Sequence, residues 1–388
     1  MTRQGRSQNL FEKPEPQTLS DDERRDWLRL IRSENIGPVI FFDLLKRFGT
    51  AGDALQAIPK LARKGGLRRD LRIVSPVTID DDIRAHEKLG ARHVAFVEPE
   101  YPPLLREISH PPPVLSVRGH VSILQKPAVS VVGARNASVA GCLLARSMAA
   151  ELGGGGLIVV SGLARGIDTA AHEGALPHGT VAVVGGGVDV SYPRENAELM
   201  ERIAATGAII GEHPVGTVPQ SRHFPRRNRI IAGMARGVLV VEAKLRSGSL
   251  ITARNAADEG RDVFAVPGSP LDPRAAGCNN LLRDGAVLTR SAADVLAVLD
   301  IAAPLEVSSG EDFAPRQTAW PSDKEITAAR SKVSELLSPT PVSVDEIIRQ
   351  CQLTPATVLA VLLELELAGR VDRHPGNKIS QNPNANGD

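Results

Sequence analysis

The chain has 388 residues, which at roughly 150 residues per domain predicts two or three domains. Its 46 lysines and arginines nearly balance 45 aspartates and glutamates, so any basic surface must be local and a histone-like polycation is excluded. With eight Phe, two Trp and two Tyr, the chain has too few aromatic residues to stack a base at every step of a single strand.

Residues 1–19 are polar, contain Pro14 and Pro16 and show no periodicity, which predicts a disordered tail. This tail lacks the apolar h-region of a signal peptide, and no stretch of about 18 uncharged apolar residues follows it. The cysteines Cys142, Cys278 and Cys351 form no C-x-x-C, so neither a disulfide framework nor a cysteine zinc site is indicated. We therefore expect a cytoplasmic protein that has no membrane partner.

A helical domain is predicted over residues 20–99. SDDE at 20–23 is a capping box that opens a first helix, and this helix ends before Gly37. In the second helix apolar residues recur at intervals of three until Gly49. Such a hairpin resembles the helix-hairpin-helix and sterile-alpha-motif-like modules, although plain helical packing explains the same pattern.

Short apolar runs alternate with helical segments between residues 100 and 300, which predicts the strands of a parallel sheet buried on both faces. The predicted strands are AVSVVG at 128–133, LIVVSG at 157–162, TVAVVGGG at 180–187, AIIG at 208–211, GVLVVEA at 237–243 and DVFAVPG at 262–268. Because helical segments separate the strands, we expect an α/β fold with a doubly wound parallel sheet.

Residues 301–322 lose periodicity and contain three prolines, which is typical of an interdomain linker. Three helices and a hairpin over residues 323–382 then predict a winged-helix domain. The helices are predicted at 324–337, 344–351 and 355–368, and the hairpin at 370–380 turns at Pro375, Gly376 and Asn377. The third helix contains no lysine or arginine and is expected to expose Glu364 and Glu366, so it is not expected to read nucleic acid.

In a doubly wound sheet the ligand lies beyond the carboxyl ends of the strands. The predicted turns there are rich in glycine, serine and arginine, whose backbone N–H groups, hydroxyls and guanidinium groups can converge on an anion. The candidate residues in these turns are Gly133, Arg135, Ser161, Gly162, Arg165, Ser247 and Ser249. Tight turns alone explain one or two such loops, but not arginines in several of them.

The segment 219–237 combines clustered arginines with an absence of acids. Between Glu212 and Glu242 the chain has five arginines and no acid, and Phe224 is the only aromatic residue. The arginines are Arg222, Arg226, Arg227, Arg229 and Arg236, and Asn228 lies among them. This density suits a run of phosphates with a base or sugar against Phe224. The alternative is that some of these arginines pair with Glu242 or with carboxylates elsewhere.

Several chemistries are disfavoured. G-x-G-x-x-G does not follow the first strand and no G-x-x-x-x-G-K-[ST] occurs, so we expect neither NAD nor ATP, and no other cofactor. Asp168 and His172 are four residues apart on one helix, but without a third ligand they indicate a first-turn acid and a hydrogen-bonded histidine, so we expect no metal. Glu242 is placed where an enzyme would need a carboxylate, yet it could equally fix Arg227 or Arg229, and we assign no catalytic residue.

Long motifs in fixed order resemble the DNA-processing protein A family (DprA, also called Smf). They are VSVVGAR at 129–135, VSGLARGIDTAAHEGAL at 160–176, FPRRNRIIAG at 224–233, VVEAKLRSGSLITA at 240–253 and VFAVPG at 263–268. The resemblance implies an extended Rossmann-like core that binds single-stranded DNA more strongly than double-stranded DNA. It also implies a homodimer that loads a RecA-type recombinase during natural transformation (DNA uptake), protecting the incoming strand, and it implies no catalysis.

The same resemblance places a DNA pocket at Gly133, Arg135, Ser161, Gly162, Phe224, Arg227, Asn228 and Arg229, and charge clustering adds Arg222 and Arg226. Ala134 departs from the family, where serine or threonine is expected. Two other functions compete with this one. A phosphoribohydrolase-like nucleotide hydrolase would need PGG-x-G-T where this chain has RSGSLIT, and a winged-helix transcription regulator would need a basic recognition helix.

Overall fold

A computed structural model describes residues 18–299, 320–374 and 376–382 of the chain. Nearly all of the predicted tail, the predicted linker up to residue 319 and Pro375 of the predicted hairpin lie outside the described residues. The described residues divide into two compact units, a core unit of residues 81–299 and a terminal unit that combines 18–80 with 320–382. No helix among these residues is both long and apolar enough to cross a membrane.

The elements follow in chain order. The α-helices are α1 Asp21–Arg32, α2 Pro38–Phe48, α3 Ala51–Lys64, α4 Pro76–Lys88, α5 Pro103–Arg106, α6 Val139–Gly154, α7 Ile167–Ala175, α8 Ala197–Thr206, α9 His223–Gly233, α10 Gly248–Asp258, α11 Ala276–Arg283, α12 Ala292–Leu299, α13 Asp323–Leu336, α14 Val344–Cys351 and α15 Pro355–Leu367. The strands are β1 Ala91–Ala95, β2 Val114–Gly119, β3 Ala128–Val132, β4 Ile158–Ser161, β5 Thr180–Val183, β6 Ala208–Gly211, β7 Gly237–Val240, β8 Asp262–Ala265, β9 Val287–Leu288, β10 Val342–Ser343, β11 Val371–His374 and β12 Lys378–Gln381.

The core unit is built on one sheet, which among the described residues has nine strands in the order β1-β2-β6-β5-β4-β3-β7-β8-β9. From β6 to β9 the neighbouring strands are parallel, whereas β2 pairs antiparallel with β6 and β1 antiparallel with β2. All six predicted strands are present, and the doubly wound α/β fold is confirmed. The side chains of these strands are mostly valine, isoleucine and alanine, and they are buried on both faces of the sheet, as is usual for parallel strands.

The antiparallel hairpin β1–β2 was not predicted, because Arg92 and His93 interrupt the apolar pattern of β1 within five residues. Residues 81–99 therefore belong to the core unit, although we grouped them with the N-terminal helices. The other predicted boundaries stay predictions.

A buried polar cluster ties α4 to this edge of the sheet. The Oδ2 atom of Asp82 lies 3.5 Å from Nδ1 of His86 and 3.4 Å from Nε2 of His93. Nδ1 of His86 also lies 2.8 Å from the Asp82 carbonyl oxygen, and its Nε2 lies 2.9 Å from the Ser116 hydroxyl. Both ring nitrogens of His86 thus have protein partners, so the cluster explains how α4 is fixed without any ligand.

In the terminal unit, α1 begins with the predicted capping box, in which Ser20 and Glu23 satisfy each other's backbone N–H groups. Helix α2 begins at Pro38, after the Gly37 N-cap, and ends at Phe48, before the C-cap Gly49, whose φ of +80° favours glycine. Helices α13 to α15 and the three-stranded sheet β10-β12-β11 form the predicted winged helix.

One expectation about the winged helix is wrong. Glu364 and Glu366 on α15 are not exposed but 1% and 6% accessible, and they pair with Arg330 and Arg373 respectively. The physical reason is that α15 is enclosed from several sides within its unit, by α13, α14 and the N-terminal helix α3. Helix α15 is therefore a core helix whose acids are neutralised by arginines from neighbouring elements.

Candidate nucleic-acid interface

The predicted anion site lies where the parallel strands end. Strand order reverses between β3 and β7, the two strands from which the chain proceeds in opposite directions across the sheet. The loops that follow β3, β4, β5, β6 and β7 all emerge at this carboxyl-end edge, which we call the crest. Ligands of doubly wound sheets bind at such a switch point.

The chain's own carboxylate occupies the helix N-terminus at the switch point. Glu242, after β7, accepts hydrogen bonds from the backbone N–H of Ser138 at 2.9 Å and from its hydroxyl at 2.5 Å. Ser138 in turn caps α6 through the N–H of Gly141 at 2.9 Å. A Cβ on Gly141 would lie 2.6 Å from the Glu242 carboxyl carbon, so the carboxylate is closely seated. The position that a nucleotide phosphate takes in a Rossmann fold is therefore already filled by an anion.

Glu242 does not fix Arg227 or Arg229, which was the alternative role expected for it. Arg227 on α9 is instead buried, 7% accessible, and donates to the Gly162 carbonyl oxygen at 2.9 Å. A Cβ at position 162 would overlap the Arg227 guanidinium, which explains why glycine is needed there. Burial lowers the pKa of Arg227 to about 10, opposed by the charge of Asp168, which is itself buried.

Asp168 and His172 belong to the same buried layer beneath the crest. Asp168 accepts the backbone N–H groups of Gly162 at 3.2 Å and Ala164 at 3.4 Å, so it is the first-turn acid that was predicted. Burial raises its pKa, and the charge of Arg227 opposes this rise. Nδ1 of His172 lies 2.9 Å from the Thr180 hydroxyl, and burial followed by the Arg227 charge lowers its pKa to about 3. His172 is thus the hydrogen-bonded histidine of the prediction.

Some of the predicted arginines are held by acids, as the ion-pair alternative anticipated. Arg229 pairs with Glu212 and donates to the His110 carbonyl oxygen at 2.6 Å. Arg165 is exposed and pairs with Glu195 at 2.5 Å. Arg236 donates to the Leu299 carbonyl oxygen at 3.0 Å, away from the crest. These arginines have protein partners that a DNA phosphate would have to replace or share.

The predicted serine and amide donors are also engaged. The Ser161 hydroxyl is fully buried and donates to the Val131 carbonyl oxygen at 2.6 Å, so it does not face the crest. Ser247 caps α10 by accepting the N–H of Ser249, and their hydroxyls lie 2.7 Å apart. Asn228 donates to the Gly248 carbonyl oxygen at 3.2 Å, which joins α9 to α10.

The accessible part of the predicted site centres on Phe224. The Arg135 guanidinium carbon lies 5.2 Å from the centre of the Phe224 ring, a cation–π arrangement that joins the β3 loop to α9. Gly133 begins that loop, where a Cβ would lie 2.6 Å from Ile167. Arg222 and Arg226 flank Phe224 in sequence, are exposed, and have no ion-pair partner among the described residues. A cation held on an aromatic face and two unpaired cations are therefore available to an anionic ligand.

Sequence reasoning missed Tyr192 and Arg194. Tyr192 follows β5, is 50% exposed, and its ring centre lies 5.5 Å from that of Phe224. Arg194 is exposed two residues later and has no ion-pair partner in the described part of the chain. The predicted strand at 180–187 ends in GGG and leads into this turn, where Tyr192 and Arg194 follow Gly187 by five and seven residues.

Three family models match the chain. The model described as DNA recombination-mediator protein A matches residues 92–300. The DprA-like N-terminal HHH domain matches residues 21–85, and the DprA winged helix domain matches residues 316–377. Together they cover the core and both parts of the terminal unit.

Curated relatives and solved structures agree with these models. Protein Smf of Synechocystis sp. is 35% identical over 403 residues, which cover 94% of this chain and 100% of the relative. DNA processing protein DprA of Streptococcus pneumoniae is 49% identical over 223 residues, covering 56% of this chain and 78% of the relative. Its X-ray structure superposes with a TM-score of 0.60 at 37% identity, over 72% of this chain and 98% of that chain. A structure of DNA processing protein A from Helicobacter pylori is described as giving insight into its single-stranded DNA binding mode. It superposes with a TM-score of 0.51 at 27% identity, over 55% of this chain and 97% of that chain.

Proposed function

From the premise that this chain belongs to the DNA recombination-mediator protein A family, we propose that it is a recombination mediator that binds single-stranded DNA at the crest of its core sheet. The observations that carry this proposal are the Arg135–Phe224 contact and the exposed guanidinium groups of Arg222 and Arg226, which have no ion-pair partner among the described residues. Phosphates would meet the arginines, and a base would meet the aromatic face.

A preference for single strands follows from the same arrangement. Stacking on Phe224 or Tyr192 requires a base whose face is free, and the bases of a duplex already stack on each other. The arginines can still attract duplex phosphates, so weaker double-stranded binding is expected.

Further parts of the proposal rest on family membership. We include a homodimer, the loading of a RecA-type recombinase and a role in natural transformation within the cytoplasm, because the resemblance of the motifs to this family implies them. Each can be tested separately from DNA binding.

The protein acts in this proposal by binding and not by catalysis. The carboxylate best placed for chemistry, Glu242, is held by two hydrogen bonds from Ser138 at the N-terminus of α6. A phosphoribohydrolase-like reaction would need that helix end for its nucleotide phosphate. Incubation with nucleoside monophosphates should therefore release no base.

Fluorescence anisotropy with a labelled oligothymidylate tests the binding proposal. If four exposed arginines (Arg135, Arg194, Arg222 and Arg226) each meet one phosphate, log K should fall against log salt with a slope of about −3. Arg135→Ala and Arg226→Ala should each weaken binding about tenfold. Each variant should also make the salt slope less steep by about 0.7, the contribution of one phosphate contact.

Arg202→Ala provides the matched control. Arg202 is equally exposed, but it lies in the last turns of α8, toward the opposite edge of the sheet. Its removal lowers the net charge by the same amount and should leave affinity unchanged. Equal losses in the Arg202 and Arg226 variants would show that only overall charge matters and would overturn the crest as the binding site.

A further inference from the structure

Tyr192 is an aromatic residue in an unusual position for this chain. The protein has two tyrosines, and the other, Tyr101, is fully buried with its hydroxyl donating to the Pro112 carbonyl oxygen at 2.8 Å. Tyr192 in contrast is 50% exposed and lies in the loop after β5, at the crest. Its ring contacts the ring of Phe224. The two ring centres are 5.5 Å apart, and the two ring planes are inclined by 36°.

The loop that carries Tyr192 is fixed by its neighbours. The N–H of Gly187 donates to the Thr217 carbonyl oxygen at 3.0 Å, and Asp189 accepts the N–H of Gly216 at 2.9 Å. The Ser191 hydroxyl donates to the Pro193 carbonyl oxygen at 3.0 Å. The first two bonds tie the loop after β5 to the loop after β6, and the third lies within the Tyr192 loop, so the backbone that carries the ring is held before any ligand arrives. Preorganisation of this kind lowers the entropic cost of binding.

Phe224 connects Tyr192 to the basic side chains. A Cβ on Gly185 would lie 3.4 Å from the Phe224 ring, so the ring lies against the backbone of the Tyr192 loop. The same ring contacts the Arg135 guanidinium, 5.2 Å from its centre. Arg194, two residues beyond Tyr192, adds an exposed cation. A phosphate at Arg135 would thus lie within about one nucleotide of an aromatic surface that is half open.

We propose that Tyr192 is a base-stacking residue of the DNA site, with Phe224 supporting its ring and Arg135 and Arg194 binding the flanking phosphates. This inference rests on the proposed function and deepens it by naming the aromatic face that recognises an unpaired nucleobase. Stacking accepts every base because every base has a π-face, so the contact confers a preference for single strands without a preference for sequence.

The competing role for Tyr192 is to cover Phe224. An apolar side chain of similar size would serve that role, whereas stacking needs the aromatic face and does not need the hydroxyl. Tyr192→Leu and Tyr192→Phe therefore separate the two roles. Tyr192→Leu should weaken binding to an oligothymidylate at least about fivefold, and Tyr192→Phe should remain within about twofold of the wild type.

Two further readouts distinguish stacking from charge. The Tyr192→Leu variant should keep the wild-type salt slope, whereas Arg135→Ala should reduce it. An oligonucleotide of abasic sites should bind the wild type and the Tyr192→Leu variant equally, because it has no base to stack. On irradiation, DNA that contains 5-iodouracil should crosslink to the peptide that contains Tyr192. This measurement uses the wild-type protein and does not depend on the folding of a variant.

The outcomes separate this inference from the proposed function. If the wild type binds no single-stranded DNA, the proposed function fails. If the wild type binds but Tyr192→Leu binds equally well, and no crosslink forms at Tyr192, the stacking role is wrong and DNA binding stands.

Discussion

Neighbouring arginines of one helix have opposite roles. Arg226 and Arg227 are adjacent on α9, but successive residues of an α-helix point about 100° apart. Arg227 consequently enters the layer of Gly162 and Asp168, whereas Arg226 remains in solvent. Substitution of Arg227 would leave Asp168 as a buried charge without its cation, so a loss of DNA binding in such a variant would report on folding and not on a phosphate contact.

The buried layer also makes stability depend on pH. The pKa of His172 falls from 6.5 to about 3 on folding, first because of burial and then because of Arg227. Between these values the unfolded chain binds a proton that the folded chain does not, so this contribution to stability is complete above pH 6.5 and is lost as the pH falls toward 3. In His172→Gln the free energy of unfolding should therefore depend less steeply on pH, by about 1.4 kcal/mol per pH unit between pH 6 and 4.

Urea unfolding at a series of pH values measures this slope. The difference between wild type and variant isolates His172 from the carboxylates that titrate in the same range. Parallel curves would show that His172 is protonated in the folded protein and would contradict the assigned pKa.

At the scale of elements, α15 is largely apolar around its circumference, and over residues 360–367 it is buried around it as well. A helix of this kind belongs to a core. Its acids need internal cations, and Arg373 of β11 contacts Glu366 and also lies near Asp43 of α2. Burial raises the pKa of both carboxyls, and the charge of Arg373 opposes the rise. Arg373 thus compensates Glu366 directly, and it shares the compensation of Asp43 with Lys46.

Arg373→Met should destabilise the terminal unit by about 3–5 kcal/mol at pH 7, because it leaves the buried Glu366 carboxylate without its ion-pair partner. The pKa of each acid in the folded state would then rise further, so the folded chain would bind more protons than the unfolded chain above pH 4.5. The loss should therefore be largest at neutral pH and smaller as the pH falls through the raised values. Differential scanning calorimetry at pH 7 and pH 5 measures both effects.

The double variant Arg373→Met with Glu366→Gln is the control, since it also removes the carboxylate charge that lost its ion-pair partner. It should recover part of the lost stability. A single variant as stable as the wild type would contradict the described ion pair.

For the molecule as a whole, the net charge is only +1, but exposed basic side chains are unevenly distributed over the chain. At the crest, Arg135, Arg222 and Arg226 are exposed. In the hairpin of the winged helix, Arg373 is bound to Glu366 and Arg370 lies over Gly66, with its Nη1 3.0 Å from a Cβ at that position. Lys378 is exposed there. The crest thus offers more exposed arginines to phosphate than the hairpin of the winged helix does.

Lys378→Glu should therefore leave single-strand affinity within a few-fold of the wild type, although it changes the net charge by two. Arg226→Glu makes the same charge change at the crest and should weaken binding far more strongly. Anisotropy titrations of both variants at one salt concentration compare them directly. A hundredfold loss in Lys378→Glu would make the winged helix a second DNA-binding site.

The sequence by itself determined the six strands β3 to β8, the crest and the two helical modules, because each depends on local patterns. Valine-rich runs between helical segments can be satisfied only as buried parallel strands, and glycine and arginine in their turns mark the crest. Ser20 and Glu23 likewise specify the start of α1 through neighbours in the chain.

Only the tertiary structure decided which charged side chains are available. Arg229 donates to Glu212, Arg227 donates to the Gly162 carbonyl oxygen, and Glu242 accepts from Ser138. The partners are 17, 65 and 104 residues apart in the sequence. The packing of α15 buries Glu364 in the same way. Composition and periodicity specify that a residue is charged, but its exposure depends on which distant element packs against it. The burial of any charge in turn requires a partner that only the fold can supply.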